Sequence, residues 1–190
     1  IRWGLRCLSE RMISSYVGIY TIFMYFRGYE PNEVLSTKIS MIELNLPKCR
    51  LRLEQREGKP YVYDELRRKF VRLTPEEWVR QHFVHYLIDV LGYPQPLMQN
   101  EVALRLGETS KRCDTLLYDK ALCPQMILEY KAPHVALTET VLQQIVRYNY
   151  VLRVPYLVLS NGLDHLVCRI DYDTMSYTFL SEFPSYDSLE

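Results

Sequence analysis

Arg112–Lys131 reads RCDTLLYDKALCPQMILEYK, and the reading of this stretch decides the fold. It predicts two β-strands, Arg112–Tyr118 and Gln125–Lys131. Asp119, Lys120 and Pro124 between them are turn and breaker residues. The second strand is apolar until its end, where Glu129 and Lys131 stand. Side chains alternate along a strand, so Glu129 and Lys131 share one face and Tyr130 takes the other. If the strands pair as a hairpin, the carboxylate of Asp114 approaches Glu129. Two carboxylates and one lysine then converge at the edge of a mostly buried sheet.

That grouping has a chemical use. Close carboxylates repel each other, and a divalent cation relieves the repulsion. Mg²⁺ takes one or two protein carboxylates and keeps its other positions for water and phosphate oxygens. Such a metal polarises a phosphoryl oxygen and lowers the pKa of bound water. Lys131 is a point charge that can hold an attacking hydroxide or a phosphate. The plain reading of Glu129 and Lys131 alone is an exposed ion pair, worth at most about 1 kcal/mol.

Four stretches in order, KRCDTLLYD, ILEYKAP, QQIVRYN and LVLSNG, widen the context. Asp followed by Glu-x-Lys resembles the PD-(D/E)xK nuclease superfamily, and Gln144 to Tyr148 resembles the Q-x-x-x-Y helix of one of its branches. Together, over about Leu44 to Tyr186, the chain resembles the N-terminal nuclease domain of type I restriction enzyme R subunits, in a stand-alone form. The resemblance implies an α/β, restriction-endonuclease-like fold: a mixed central sheet flanked by helices, with an N-terminal β-hairpin. It implies a metal-dependent DNA endonuclease using Mg²⁺, with Mn²⁺ as a substitute. Asp114 and Glu129 would bind metal, with Glu101 as a further carboxylate. Lys131 would act on water, and Gln144 and Tyr148 would orient the site or touch DNA. Glu77 would add a metal or water contact. The chain shows no P-loop, so the expectation is a domain without the translocating motor. DNA is the expected partner, with a separate protein supplying DNA affinity or the motor. The alternative is a non-catalytic nucleic-acid-binding or assembly module that keeps the fold. Cleavage of RNA or branched DNA uses the same metal chemistry.

The totals agree with one domain of 190 residues, 48% of them hydrophobic. Net charge is 0, so any DNA contact needs a local basic patch. The five cysteines are scattered without a C-x-x-C pair, which fits a reducing cytoplasm and neither a disulfide framework nor a zinc knuckle. No run is long enough to span a membrane. Ile1–Ser40 reads as an extension or an accessory element, with Met41 as the natural start of a single domain over 41–190.

Cys49–Gln55 and Tyr61–Tyr63 around Gly58-Lys59-Pro60 predict a hairpin. Asp64 is expected to cap a short basic helix, Glu65–Phe70, with Arg67, Arg68 and Lys69 as a solvated face or a phosphate contact. Thr74-Pro75-Glu76-Glu77 starts a helix to about Leu91, ended by Gly92 and Pro94. Glu77 either completes a capping box or looks toward the active edge. His82, His85 and Asp89 share a helix face expected to be polar and solvated. Leu97–Leu104 should be the first core strand, carrying Glu101. A second helix, Glu139–Leu152, begins after Thr138. It joins Gln125–Lys131 to a parallel strand, Tyr156–Ser160. Leu166–Asp171 and Tyr177–Leu180 complete the sheet, and Pro184–Glu190 should be loose.

Overall fold

The computed structural model describes the backbone of 42–106 and 109–189. Within it, the side chains of 104–106, 109–111, 144, 147, 148 and 150–152 are not described. The readings of Ile1–Ser40 and of Met41 as a start lie outside these residues. A three-stranded antiparallel sheet comes first: β1 (Leu53–Arg56), β2 (Lys59–Asp64) and β3 (Lys69–Arg72). A six-stranded sheet follows in chain order: β4 (Met98–Leu106), β5 (Thr109–Tyr118), β6 (Pro124–Tyr130), β7 (Tyr156–Ser160), β8 (His165–Asp171) and β9 (Ser176–Phe179). Helix α1 is Pro75–His85 and α2 is Glu139–Leu152. The expected α/β class with a mixed central sheet is the one found.

The apolar run of β6 explains the layering. Met126, Leu128 and Tyr130 pack with Val79, Phe83 and Val84 of α1. Ile127 points the other way, into a cluster with Leu142, Ile145 and Val146 of α2. A strand covered on both faces must be apolar at every covered position, as β6 is from Met126 to Leu128. The predicted crossover is present: β6 and β7 are parallel, with Leu128 opposite Val158. Every other pairing is antiparallel.

Thr74 caps α1 by accepting the Glu77 N–H at 3.1 Å, and Pro75 holds the first helical position. The helix continues as a wider π turn over Tyr86–Val90 and stops before Gly92, whose φ is +70°. A positive φ there is cheap only for glycine.

Three expectations need correction. Glu65–Phe70 is no helix. The Asp64 carboxylate accepts the Arg67 N–H at 2.7 Å in a tight turn, Arg68 takes φ +52°, and Phe70 pairs with Tyr63 across β2–β3. The N-terminal hairpin is therefore a three-stranded sheet, and Arg67 turns inward instead of joining a solvated face. The helix face of His82, His85 and Asp89 is not wholly solvated. His82 is buried, with Nδ1 2.9 Å from the Trp78 carbonyl and its ring against the indole, while His85 pairs with Asp89. The tail is docked: Tyr93 donates to the Pro184 carbonyl at 2.6 Å, and Tyr186 and Leu189 are buried in the α1-side core. Phe183 and Tyr186 hold the tail to that core because Phe83 and Tyr93 leave ring edges there for them.

Candidate active site

Strand register places the three candidate acidic residues level with one another on neighbouring strands. On β4 and β5, Asn100 pairs with Thr115 and Val102 with Cys113, so Glu101 stands opposite Asp114. On β5 and β6, Thr115 pairs with Leu128, and the next step sets Asp114 opposite Glu129. Glu101, Asp114 and Glu129 thus occupy one level across three neighbouring strands. Lys131 follows just past the end of β6, where its N–H donates to the Ser160 carbonyl of β7 at 2.8 Å. Glu101 adopts φ +58° inside a strand, a left-handed conformation rare for a residue with a side chain. Such strain concentrates where function fixes the backbone.

Asp114 is held from two sides. Its Oδ2 accepts the Tyr130 N–H at 2.8 Å, and its Oδ1 accepts Arg80 Nη2 at 2.7 Å. Arg80 is 3% exposed, so its whole guanidinium lies inside the cluster. Its Nη1 donates to Glu101 Oε1 at 2.5 Å and lies 3.3 Å from Glu77 Oε2. Glu101 Oε2 also takes Arg112 at 3.1 Å. Glu77 is buried and accepts from Arg67 at 2.6 Å and from Gln81 at 2.7 Å. It therefore looks inward, while the cap of α1 rests on the Thr74 hydroxyl. Arg67 bridges to Asp64, a fully buried carboxylate that also accepts from Gln81 and Asn100. Thr115 closes the network by donating to Asn100 at 2.6 Å.

The titration behaviour follows from these contacts. Burial pushes the Asp114 carboxyl above its ordinary value, although Arg80 and the Tyr130 N–H pull it down. Burial also raises Asp64, but the Arg67 N–H and charge and the Asn100 amide outweigh it and hold that carboxyl low. Glu101 is likewise held low, its burial outweighed by hydrogen bonds from Arg80 and Arg112. Glu76, at the start of α1, is raised by burial and by the charge of Asp114, against the pull of Lys131 and Arg80. Lys131 therefore lies close enough to feel the same site.

Of the residues named from sequence, Glu77, Glu101 and Asp114 meet through Arg80, while Glu129 and Lys131 stand level with Asp114 on β6 and just past its end. Gln144 and Tyr148 are on α2, but their side chains are not among the described residues. Arg80, Arg67, Asp64, Gln81 and Asn100 were missed by sequence reasoning. Arg80 and Gln81 carried a readable signal: they follow Glu77 by three and four residues, so an inward Glu77 brings both with it. Asp64 and Arg67 gave none, because their approach depends on how two sheets pack. Among the described residues, no three His, Cys, Asp or Glu side chains form a ready-made metal cage.

The chain covers 62% of its own length, and 24% of the other's, against a fragment of a putative HsdR subunit of a type I restriction enzyme from Vibrio vulnificus YJ016. Identity there is 21% and the TM-score 0.44. No curated protein matches the chain. Residues 75–184 match the model of the type I restriction enzyme R protein N terminus, a span that begins with α1 and ends after β9. The stretch includes all the carboxylates aligned across β4, β5 and β6, and by that match the chain belongs to the type I restriction enzyme R protein N-terminal family, HSDR_N.

Proposed function

We propose that this domain hydrolyses phosphodiester bonds of DNA with a divalent cation, Mg²⁺ or Mn²⁺, at the Glu101–Asp114–Glu129 row. The carrying observation is that row itself, with Lys131 at the end of the same strand as Glu129. The donor chemistry fits Mg²⁺, which needs only one or two carboxylates and completes its shell with water and phosphate oxygens. Asp114 and Glu129 would hold the ion, with Glu101 behind them. Six carboxylates (Asp64, Glu76, Glu77, Glu101, Asp114, Glu129) and four cations (Arg67, Arg80, Arg112, Lys131) stand at or beside this edge, an excess of negative charge that favours a cation. When bound, the ion supplies Lewis acidity and a more acidic water.

The chain's own residues do the rest. Lys131 holds the attacking water or a non-bridging oxygen and stabilises the added charge at phosphorus. The water oxygen bonds to phosphorus, one phosphorus–oxygen bond to a sugar breaks, and the leaving oxygen takes a proton from water. Arg80 offsets charge on Asp114 and Glu101 and sets their geometry, while Glu77 fixes Arg80. Gln144 and Tyr148 are assigned to orienting the strand. Partner subunits of a restriction enzyme are the expected context, with a separate protein supplying DNA affinity or the motor.

One observation favours a second reading, a binding module without cleavage: Arg80 already sits on Asp114 and Glu101 as a built-in cation. Calorimetric titration of the whole chain with Mn²⁺ and Mg²⁺, beside Asp114→Ala/Glu129→Ala, separates the two. Binding lost in the double variant, with cleavage of DNA, RNA or branched substrates abolished by Lys131→Ala, supports hydrolysis. Absence of metal binding even with a non-hydrolysable oligonucleotide present retires it in favour of the binding module.

A further inference from the structure

The small β1–β2–β3 sheet has two unlike faces. Leu53, Val62 and Val71 point inward and meet Leu73 and Trp78. The register puts Glu54, Arg56, Lys59, Tyr61, Tyr63, Phe70 and Arg72 on the outer face, with Arg52 opposite Tyr63. Two of the cations, Arg52 and Arg56, lie over the rings. The Arg52 guanidinium is 4.2 Å from the Tyr63 ring centroid and 5.8 Å from that of Phe70. Arg56 lies 5.1 Å from Tyr61 and 5.3 Å from Phe70. Tyr63 and Phe70 touch edge to face at 5.2 Å. Among the described residues Glu54 is the one acid on the strands of this face, and Arg56 pairs with it.

We propose that this outer face binds an unpaired polynucleotide strand, its bases on Tyr61, Tyr63 and Phe70 and its phosphates on Arg52, Arg56, Lys59 and Arg72. The ligand class rests on the nucleic-acid reading above, but the face needs no metal. Three arguments select an unpaired strand. A chain of net charge 0 has no global attraction for nucleic acid, and here four cations face one acid. A duplex presents phosphates and hides its base faces, so it would use the cations and waste the rings; an unpaired strand uses both, and stacking tolerates any base. Tyr61 and Tyr63 lie on one face of one strand, about 6.6–6.8 Å apart along it, a step that consecutive bases of an extended strand can match. Guanidinium planes are themselves stacking surfaces and phosphate donors, so Arg52 and Arg56 serve either need. The sheet is also anchored beside the carboxylate row. Asp64 at the end of β2 is bound by Asn100 of β4 and Gln81 of α1, and Arg67 in the next turn reaches Glu77.

The test is fluorescence anisotropy of the whole chain with labelled oligothymidylate in EDTA, beside a duplex and an abasic strand of equal length. The expected result is binding of oligothymidylate at least about tenfold tighter than either. Tyr61→Ala/Tyr63→Ala weakens it about tenfold or more. Arg52→Gln/Arg56→Gln, at exposed positions that leave the inner face intact, lowers the salt slope by about 1.4. Oligouridylate is run in parallel; binding of either strand supports the face, and the tighter one names the sugar. Equal affinity for duplex or abasic strand, or wild-type affinity in both variants, overturns the proposal. Cleavage with Mg²⁺ is measured separately. Binding without cleavage retires the hydrolytic reading and leaves this face standing, whereas cleavage with unaltered binding in the variants removes the face alone.

Discussion

The carboxylate edge and the outer face of the small sheet use charge in opposite ways. At the edge, Arg80 and Arg67 are buried or nearly so, and each is held by two or more carboxylates. On the outer face, Arg52 and Arg56 are exposed and lie on aromatic rings. Burial strips water from the first set, so each ion depends on its partners. The second set keeps its water and can exchange a ring for a ligand at little cost. One region is built to hold a fixed arrangement of charge and the other to be covered and uncovered.

The largest break in this comparison comes at Arg80. Arg80→Ala leaves buried Glu77 and half-buried Glu101 and Asp114 beside one another without their shared cation. Removing one partner of a buried ion network costs about 3–5 kcal/mol, read as a fall in the urea midpoint. A loss below about 1 kcal/mol would show that the edge is wet and that its charges are not interdependent. Arg80→Lys restores charge without the two-pronged fit to Glu101 and Asp114, so it should recover only part of the loss.

Acid sharpens the comparison next. Burial holds His82 and His165 below the ordinary histidine range. Both are neutral and unperturbing well above pH 6.5. As pH falls past about 6.5 the unfolded chain takes protons first, and stability drops by up to about 1.4 kcal/mol per pH unit for each group. Asp64 and Glu101, also held low, add a second loss below about pH 4, when the unfolded carboxyls protonate before the folded ones. Thermal melts between pH 8 and pH 3 should therefore show two descending segments (about pH 6.5, about pH 4). A flat profile between pH 7 and 5 would remove the buried-histidine part. Asp114, raised by burial, works in the other direction and softens the lower segment.

How much of this could be read from the chain follows the range of each interaction. The β5–β6 hairpin, the capped start of α1 and the β6–α2–β7 crossover are local patterns, and they were legible with small boundary shifts. Lys131 falls one residue outside β6, and β4 runs to Leu106 where Leu104 was expected. The row of Asp114 and Glu129 needed only a hairpin register. Arg80's place in it was signalled only through its spacing from Glu77; what buries the arginine is the helix's tilt onto the sheet, a tertiary fact. Arg67 carried no such signal. Its run with Arg68 and Lys69 looks like a basic surface, and only the left-handed turn at Arg68 sends it inward. The docked tail needed a core that no local rule supplies.

A mid-sized effect joins the two regions. Thr74 connects β3 to α1 and caps the helix that carries Glu77, Arg80 and Gln81. Thr74→Ala should cost about 1 kcal/mol by loss of the cap. Thr74→Ser should recover most of it, since the hydroxyl is what accepts the Glu77 N–H. If the alanine variant costs nothing, the ion network and not the cap fixes the start of α1.

The smallest effect is the most informative about the outer face. Arg52→Gln/Arg56→Gln removes the cation–ring contacts with Tyr61, Tyr63 and Phe70, each worth about 0.5–1 kcal/mol at an exposed site. Part of that returns when the rings meet glutamine stems and water. The net loss in urea stability should therefore be no more than about 1 kcal/mol for the pair, well under the cost of Arg80→Ala. A loss of the same size as at Arg80 would mean that the guanidiniums hold the sheet together. They would then not be free to leave the rings, and the contrast between a fixed edge and an exchangeable face would collapse. A small loss keeps it, because only a face whose own contacts are weak can give them up to a ligand and gain by doing so.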